Sequence, residues 1–381
     1  MSTHRRSGDS LARVLHAVTR MDRGGIETFL MRVYRNIDRE RVQFDFLVHK
    51  STQGAYDNEI LSLGGRIFPI AFSYNPLALP RYISDLKTFF NAHPEFRIAH
   101  AHLNAFNGIF LSATASFGVP ERIAHIHAQS SGSALREPLW NLITRAGRKS
   151  FTRRYACSTQ AGLWAYGRQA SFSVIQNGIP LELFTFDDEA RARVRHHYGL
   201  DGRLVIGHVG AFRPDKNQGF LLEVLAEVRK HDKTASLLLV GAGNELAKVK
   251  AQAAGLGLSD HVIFAGEASN PEKYYSAMDV FAFPSIDEGF GIVAIEAQAS
   301  GLPCILSTGV PKEAAATDLA IRLPLNENAN AEQWAAEILR RATKARDRLL
   351  CQAELTDFDI VKTAQQLQQV YLAAYSSQAQ P

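Results

Sequence analysis

Cysteine is scarce: Cys157, Cys304 and Cys351 stand far apart in 381 residues, with no CxxC spacing. That scarcity argues against a disulfide-stapled scaffold and against a cysteine metal site, and it fits a reducing compartment. Long hydrophobic runs are missing too, since none approaches the ~18 residues that a bilayer span requires. Met1 to Asp9 is charged with no apolar core after it, so a signal peptide is not expected. No low-complexity tract interrupts the chain, and 46% apolar with 21% charged residues is a globular composition. The expectation is a cytoplasmic chain long enough for two domains of ordinary size.

What is present is unevenly distributed. Residues 1–175 carry 22 Lys+Arg against 12 Asp+Glu, and residues 176–381 carry 20 against 26. A basic half suggests an anionic partner, such as a lipid surface or a lipid diphosphate. Nucleic acid is not expected, because the interleaving of basic and aromatic residues is missing. Within Ser133 to Arg154, Arg136, Arg145, Arg148, Lys149, Arg153 and Arg154 surround Leu135, Leu139, Trp140, Leu142 and Ile143. This stretch reads either as a membrane-surface helix or as the solvated face of a core helix. Peripheral association with an anionic cytoplasmic membrane face is therefore an expectation.

Both halves alternate buried-strand and helix patterns, which predicts two doubly wound parallel sheets. Arg13 to Val18 reads as a first strand and runs into Gly24-Gly25, with a helix through Phe29, Leu30, Val33 and Tyr34. Strand, glycine turn, helix is the architecture of a phosphate cradle, or equally of an ordinary tight turn. Ile98-Ala99-His100-Ala101-His102 and Arg122-Ile123-Ala124-His125-Ile126-His127 read as two further strands. Residues two apart on a strand share a face, so each strand presents a histidine pair near its carboxyl end. These pairs could hold a metal, could be structural, or could contact a ligand. No carboxylate cluster accompanies them, so a metal is not expected.

In the second half, Ser236 to Val240 precedes Gly241-Ala242-Gly243, a Gly-x-Gly turn that is a weak signal alone. Val280 to Phe283 reads as a buried strand. After it come Glu288-Gly289-Phe290-Gly291 and an Ala-rich helix that contains Glu296 and stops at Gly301 before Pro303. Backbone N–H groups at such a turn attract phosphate, and glycines let a ligand approach closely. Glu288 and Glu296 accept hydrogen bonds well from sugar hydroxyls, and their bland reading is a pair of solvated acids.

The Glu288–Glu296 stretch through Pro303 resembles the E-x7-E signature of the family 4 glycosyltransferases, closest to the exopolysaccharide-biosynthesis branch. Those are retaining, nucleotide-sugar-dependent enzymes of the GT-B fold, two Rossmann-like domains facing a cleft. The resemblance extends over nearly the whole chain. It implies an acceptor-binding domain at 1–173, a donor-binding domain at 174–360 and a C-terminal helix at 361–381 crossing back to the first. Asn177-Gly178-Ile179-Pro180 matches the family's crossing, with Pro180 where Asp is usual. Glu296 is then expected to bind the ribose and Glu288 the donor hexose, with Gly289, Phe290 and Gly291 offering backbone amides. Gly241 and Gly243 lie near the nucleotide, and Gly24 and Gly25 face the diphosphate. Lys216 fits the family's diphosphate-binding Lys. Ala211 occupies the position of its Arg, and Arg213, two residues on, is the substitute. His127 matches the histidine at the reacting carbon. The expected donor is a UDP-sugar, with a GDP-sugar next, and the acceptor is a lipid-linked or oligosaccharide hydroxyl, with no cofactor. The alternatives are a sugar-nucleotide epimerase of the same fold and a non-catalytic nucleotide- or glycan-binding subunit.

Overall fold

In the computed structural model the chain is described over residues 11–73, 75–127, 146–268, 270–325, 331–342 and 353–377. It divides into two compact units, Met1–Gly178 with Ile360–Pro381, and Ile179–Asp359.

The first unit holds β1 (Ala12–Val18), β2 (Val42–Val48), β3 (Ile67–Pro69), β4 (Ile98–Ala101), β5 (Glu121–Ile126), β6 (Arg153–Ala156) and β7 (Ser173–Val174). All pair in parallel, in the order β3-β2-β1-β4-β5-β6-β7. This is the doubly wound order, with its switch point between β1 and β4. Its helices among the described residues include α1 (Gly25–Asn36), α2 (Asp57–Ser62), α3 (Leu79–Ala92), α4 (Asn107–Ser116) and α5 (Thr159–Tyr166). β1 is buried at every position except Arg13, as expected of a parallel strand covered on both faces.

The C-terminal helix Ile360–Ser376 belongs to this unit. Its Leu367, Tyr371 and Ala374 share one core with Phe29, Leu30, Val33 and Tyr34 of α1 and Phe44 and Phe46 of β2. The Tyr34 and Phe44 rings stack at 5.1 Å, and Tyr371 meets Phe44 edge-on at 5.8 Å. The first unit runs five residues past the boundary expected at 173, because Ser173–Val174 adds a seventh strand to its sheet. The chain leaves this unit at Gly178 and returns at Ile360. A Cβ on Gly178 would lie 2.7 Å from the Ile360 Cα, so the two crossings touch through a glycine.

The second unit holds β8 (Val205–Val209), β9 (Ser236–Val240), β10 (Val262–Gly266), β11 (Val280–Phe283), β12 (Cys304–Ser307) and β13 (Ala320–Leu323). They are parallel, in the order β10-β9-β8-β11-β12-β13, the same winding again. Its helices among the described residues include α6 (Asp188–His197), α7 (Gln218–His231), α8 (Leu246–Gly255), α9 (Glu272–Ala277), α10 (Ile292–Ala299) and α11 (Ala331–Ala342). Its core joins Leu221, Leu225 and Val228 of α7 to Leu237, Leu239, Val280 and the buried Trp334. The sequence pattern missed α6 because its residues have no apolar period. Tertiary ion pairs hold it instead: Arg191 and Arg195 each donate to the Asp279 carboxylate at 2.6 Å.

Among the described residues no helix is long and apolar enough to cross a membrane. Residues 133–145, more than half of the basic amphipathic stretch 133–154, lie outside the described residues.

Candidate active site

In the second unit, Lys216 and Glu288 meet. Lys216 ends the one-turn helix Pro214–Lys216, and Asn217 follows it in the left-handed conformation at φ 54° before α7 begins. The Lys216 ammonium donates to Glu288 Oε1, and Ser285 Oγ donates to the same oxygen at 3.0 Å. Both side chains are largely buried, at 17% and 11% exposure, and the ammonium sits 5.5 Å from the centre of the Phe283 ring. The two loops are also joined through backbone: Ile286 N and Ser285 Oγ donate to Asp215 O at 2.7 and 3.0 Å. The cation and the carboxylate are therefore held by the same fixed geometry. Arg213 stands apart from that pair, its guanidinium in a two-bond fork on Asp215 at 2.9 Å and mostly exposed.

Gly241 and Gly243 shape this site from beneath. A Cβ on Gly241 would lie 2.1 Å from Gly210 O, and one on Gly243 would lie 2.3 Å from Phe212 O. Both glycines have positive φ, 142° and 153°. Phe212 N donates to Ala242 O at 2.8 Å and Glu245 N to Phe212 O at 3.1 Å. The Gly-x-Gly turn thus carries the first half of the loop that ends in Lys216. Backbone contact with that loop accounts for both glycines. Phe212, which stands between Ala211 and Arg213, is buried at 1% exposure.

Gly291 caps α10 at φ 86°, and a Cβ there would lie 3.1 Å from both the Phe283 ring and Val310. The Phe290 side chain is in the core, 5.8 Å from the Phe358 ring, so only its backbone is available to a ligand. Glu296 lies within α10 at 4% exposure, and Tyr275 Oη donates to its Oε2 at 2.8 Å. Tyr275 and Ser285 were not legible as site residues. Each reaches its carboxylate through packing, and neither belongs to a motif.

In the first unit, Gly24 caps α1 with extended backbone, and Glu27 folds back over it. A Cβ on Gly24 would lie 2.2 Å from Glu27 Oε2, whereas Gly25 has open space around it. Burial pushes the Glu27 carboxyl up to about 7, against the pull of its backbone N–H and Arg20. The helix terminus expected to receive an anion therefore already has a carboxyl group beside it.

His127 follows directly on β5. Its backbone N–H donates to Asn104 Oδ1 at 3.1 Å, and its Nε2 lies 2.9 Å from His102 Nδ1. His102 Nε2 in turn lies 3.1 Å from His16 Nδ1, and His100 Nδ1 lies 2.8 Å from Tyr371 Oη. The β1–β4 register places His16 opposite His100, which adds a fifth ring to the four in the two HxH pairs. Burial holds His16 and His127 down at about 3 and keeps His100, His102 and His125 well below 6.5. All five rings are neutral at pH 7.

The family profile described as "Glycosyl transferases group 1" matches residues 191–348. The putative glycosyltransferase EpsF of Bacillus subtilis (strain 168) is 35% identical over 348 residues, covering 88% of this chain and 89% of EpsF. The chain belongs to the group 1 glycosyl transferases. A GDP-mannose-dependent alpha-(1-6)-phosphatidylinositol monomannoside mannosyltransferase of Mycolicibacterium smegmatis is 31% identical over 210 residues, 51% of this chain and 54% of that one. Among solved structures, Anabaena HepE in complex with UDP matches with a TM-score of 0.76 at 19% identity, over 95% of this chain and 100% of that one. Sucrose-phosphate synthase from Thermosynechococcus elongatus matches with a TM-score of 0.77 at 20% identity, over 96% and 99%. At these identities the likeness is one of fold, and the fold is GT-B. The profile's span takes in Arg213, Lys216, Gly241, Gly243, Glu288, Gly289, Phe290, Gly291 and Glu296 of this glycosyl transferase. Gly24, Gly25 and His127 lie outside it.

Proposed function

We propose that the chain is a retaining transferase of the family 4 type. It moves a hexose from a nucleoside-diphosphate sugar, UDP-linked before GDP-linked, to a lipid-linked or oligosaccharide hydroxyl in exopolysaccharide biosynthesis. The observation that carries this reading is the Lys216–Glu288 pair on two hydrogen-bonded loops, eight residues from the buried Glu296 with its Tyr275 partner. A diphosphate needs a fixed cation, and sugar hydroxyls need fixed carboxylate acceptors; this stretch holds both in one unit. In the reading, Lys216 and Arg213 neutralise the departing diphosphate, so the transfer step itself requires no metal. Glu296 accepts from ribose hydroxyls and Glu288 from the hexose. The amides of Gly289, Phe290 and Gly291 face the sugar phosphate, Gly24 and Gly25 line the diphosphate, and His127 contacts the sugar at the reacting carbon. The departing phosphate oxygen takes the acceptor proton on the same face, which retains the anomeric configuration.

HepE was solved with UDP, which supports the UDP-sugar class, and the EpsF relationship spans both units, which supports glycosyl transfer by the whole chain. The basic first half favours a cytoplasmic enzyme that meets its lipid acceptor at an anionic membrane surface. The test is transfer from radiolabelled UDP- and GDP-sugars to a lipid-linked acceptor extract, in wild type and in Lys216→Ala and Glu296→Gln. Loss of a fixed transition-state cation lowers kcat by about 10²–10³-fold. Unchanged transfer in both variants would overturn the site assignment. Release of an altered sugar without an acceptor would make the protein an epimerase.

A further inference from the structure

The histidines of β4 and β5 hold more than the transferase reading uses. His125 is fully buried, yet neither of its ring nitrogens has a hydrogen-bond partner among the described residues. A buried polar atom left without a partner costs about 1–3 kcal/mol, and one accepted explanation for such an atom is a bound ion. One donor atom from each of His102, His125 and His127 lies within 4.8 Å of the other two. The His102 Nδ1 to His127 Nε2 separation of 2.9 Å is close to the edge of a tetrahedron around a zinc-class ion, about 3.3 Å for metal–nitrogen bonds near 2.0 Å. We infer that His102, His125 and His127 form a binding site for one first-row transition-metal cation of the Zn²⁺, Co²⁺ or Ni²⁺ class.

Two features make this set better than the neighbouring triplet His16, His100 and His102. The first is access: His127 is only half-buried, whereas all three of the other set are fully buried. The second is orientation. With Nδ1 on the ion, His102 turns Nε2 to His16 Nδ1 at 3.1 Å, the outer hydrogen bond that fixes the tautomer of a ligating imidazole. A donor set made only of imidazoles selects zinc-class ions over Mg²⁺ or Ca²⁺. The site departs from the expectation of no metal, which rested on the missing carboxylates. It takes no residue from the diphosphate loops but shares His127 with the transferase reading, and because metal retention is read without turnover, failure of the one is distinguishable from failure of the other.

The test uses the untagged full-length chain, stripped with chelator, loaded with Co²⁺ and desalted. Wild type is expected to retain one Co²⁺ per chain, with the visible bands of a low-coordinate nitrogen site, and to gain thermal stability with Zn²⁺ but not with Mg²⁺. His125→Leu, which places an apolar side chain in an apolar position, is expected to lose the bands while keeping its circular dichroism. His127→Asn, at the half-buried edge, serves the same purpose if His125→Leu does not fold. His231→Asn, on the exposed end of α7, is expected to retain the ion. No Co²⁺ retained by wild type, or full retention by His125→Leu or His127→Asn, would overturn the inference.

Discussion

Acidification of the metal-stripped protein should open the first unit well before the second. Five buried histidines of that unit and the half-buried His127 are held neutral by desolvation: His16 and His127 at about 3, His49 at about 4, and His100, His102 and His125 well below 6.5. Neighbouring rings push the last three further down. The unfolded chain protonates each of them near 6.5, so as pH falls below 6.5 it binds protons that the folded state refuses. Stability is therefore present above that value and is lost on acidification. Between pH 7.5 and 5.5 each such histidine costs about 1.4 kcal/mol, and the six together about 8 kcal/mol, against a typical domain stability of 5–15 kcal/mol. Glu27 runs the other way through part of this window but is a single group. The second unit has one fully buried histidine of this kind, His208 at about 4, and is expected to lose about 1.4 kcal/mol over the same interval. Hydrogen exchange with peptide resolution, at pH steps from 7.5 to 5 in chelator, would follow both units in one sample. Amides of β1, β4 and β5 should lose protection while β8, β9 and β11 keep theirs. Undiminished protection of β1, β4 and β5 at pH 5 would refute the reasoning.

Four further outcomes follow. Glu27, with its carboxyl raised to about 7, contributes stability that is present at low pH and lost as pH rises through 7. In the metal-stripped chain Glu27→Gln removes this opposing contribution and should therefore widen the fall in melting temperature from pH 8 to pH 6, and an unchanged difference would count against it. Gly243→Ala puts a Cβ 2.3 Å from Phe212 O and should weaken binding of nucleoside diphosphates through the Lys216 loop, read by calorimetry. Unaltered affinity would show that the loop is not positioned by this turn. Tyr275→Phe leaves the buried Glu296 without its 2.8 Å donor and should cost about 1–3 kcal/mol in chemical denaturation. Vesicle flotation should show the full chain binding liposomes with anionic lipid and not neutral ones; equal binding to both would remove charge as the cause.

By itself the sequence determined the two alternating series and hence two parallel sheets. Val280–Phe283, Ser236–Val240 and Ile98–Ala101 are short apolar runs between turn signals, and their burial depends on composition that is local along the chain. It also determined the glycine turn at Gly241-x-Gly243 and the helix-capping Gly291, since positive φ and close approach are recorded in residue type. The Glu288–Glu296 spacing was legible for the same reason, whereas α6, a polar helix held by Asp279, was not. What only the tertiary structure decided is how separate motifs combine. The Lys216–Glu288 pair joins residues 72 positions apart through the β8–β11 neighbourhood. The switch from β1 to β4 brings His16 beside four histidines that lie at least 84 residues away in sequence. Five imidazoles on one sheet exclude each other's protons, and no single HxH motif could have revealed this. Burial and mutual proximity are properties of strand order, and strand order is set by the whole fold.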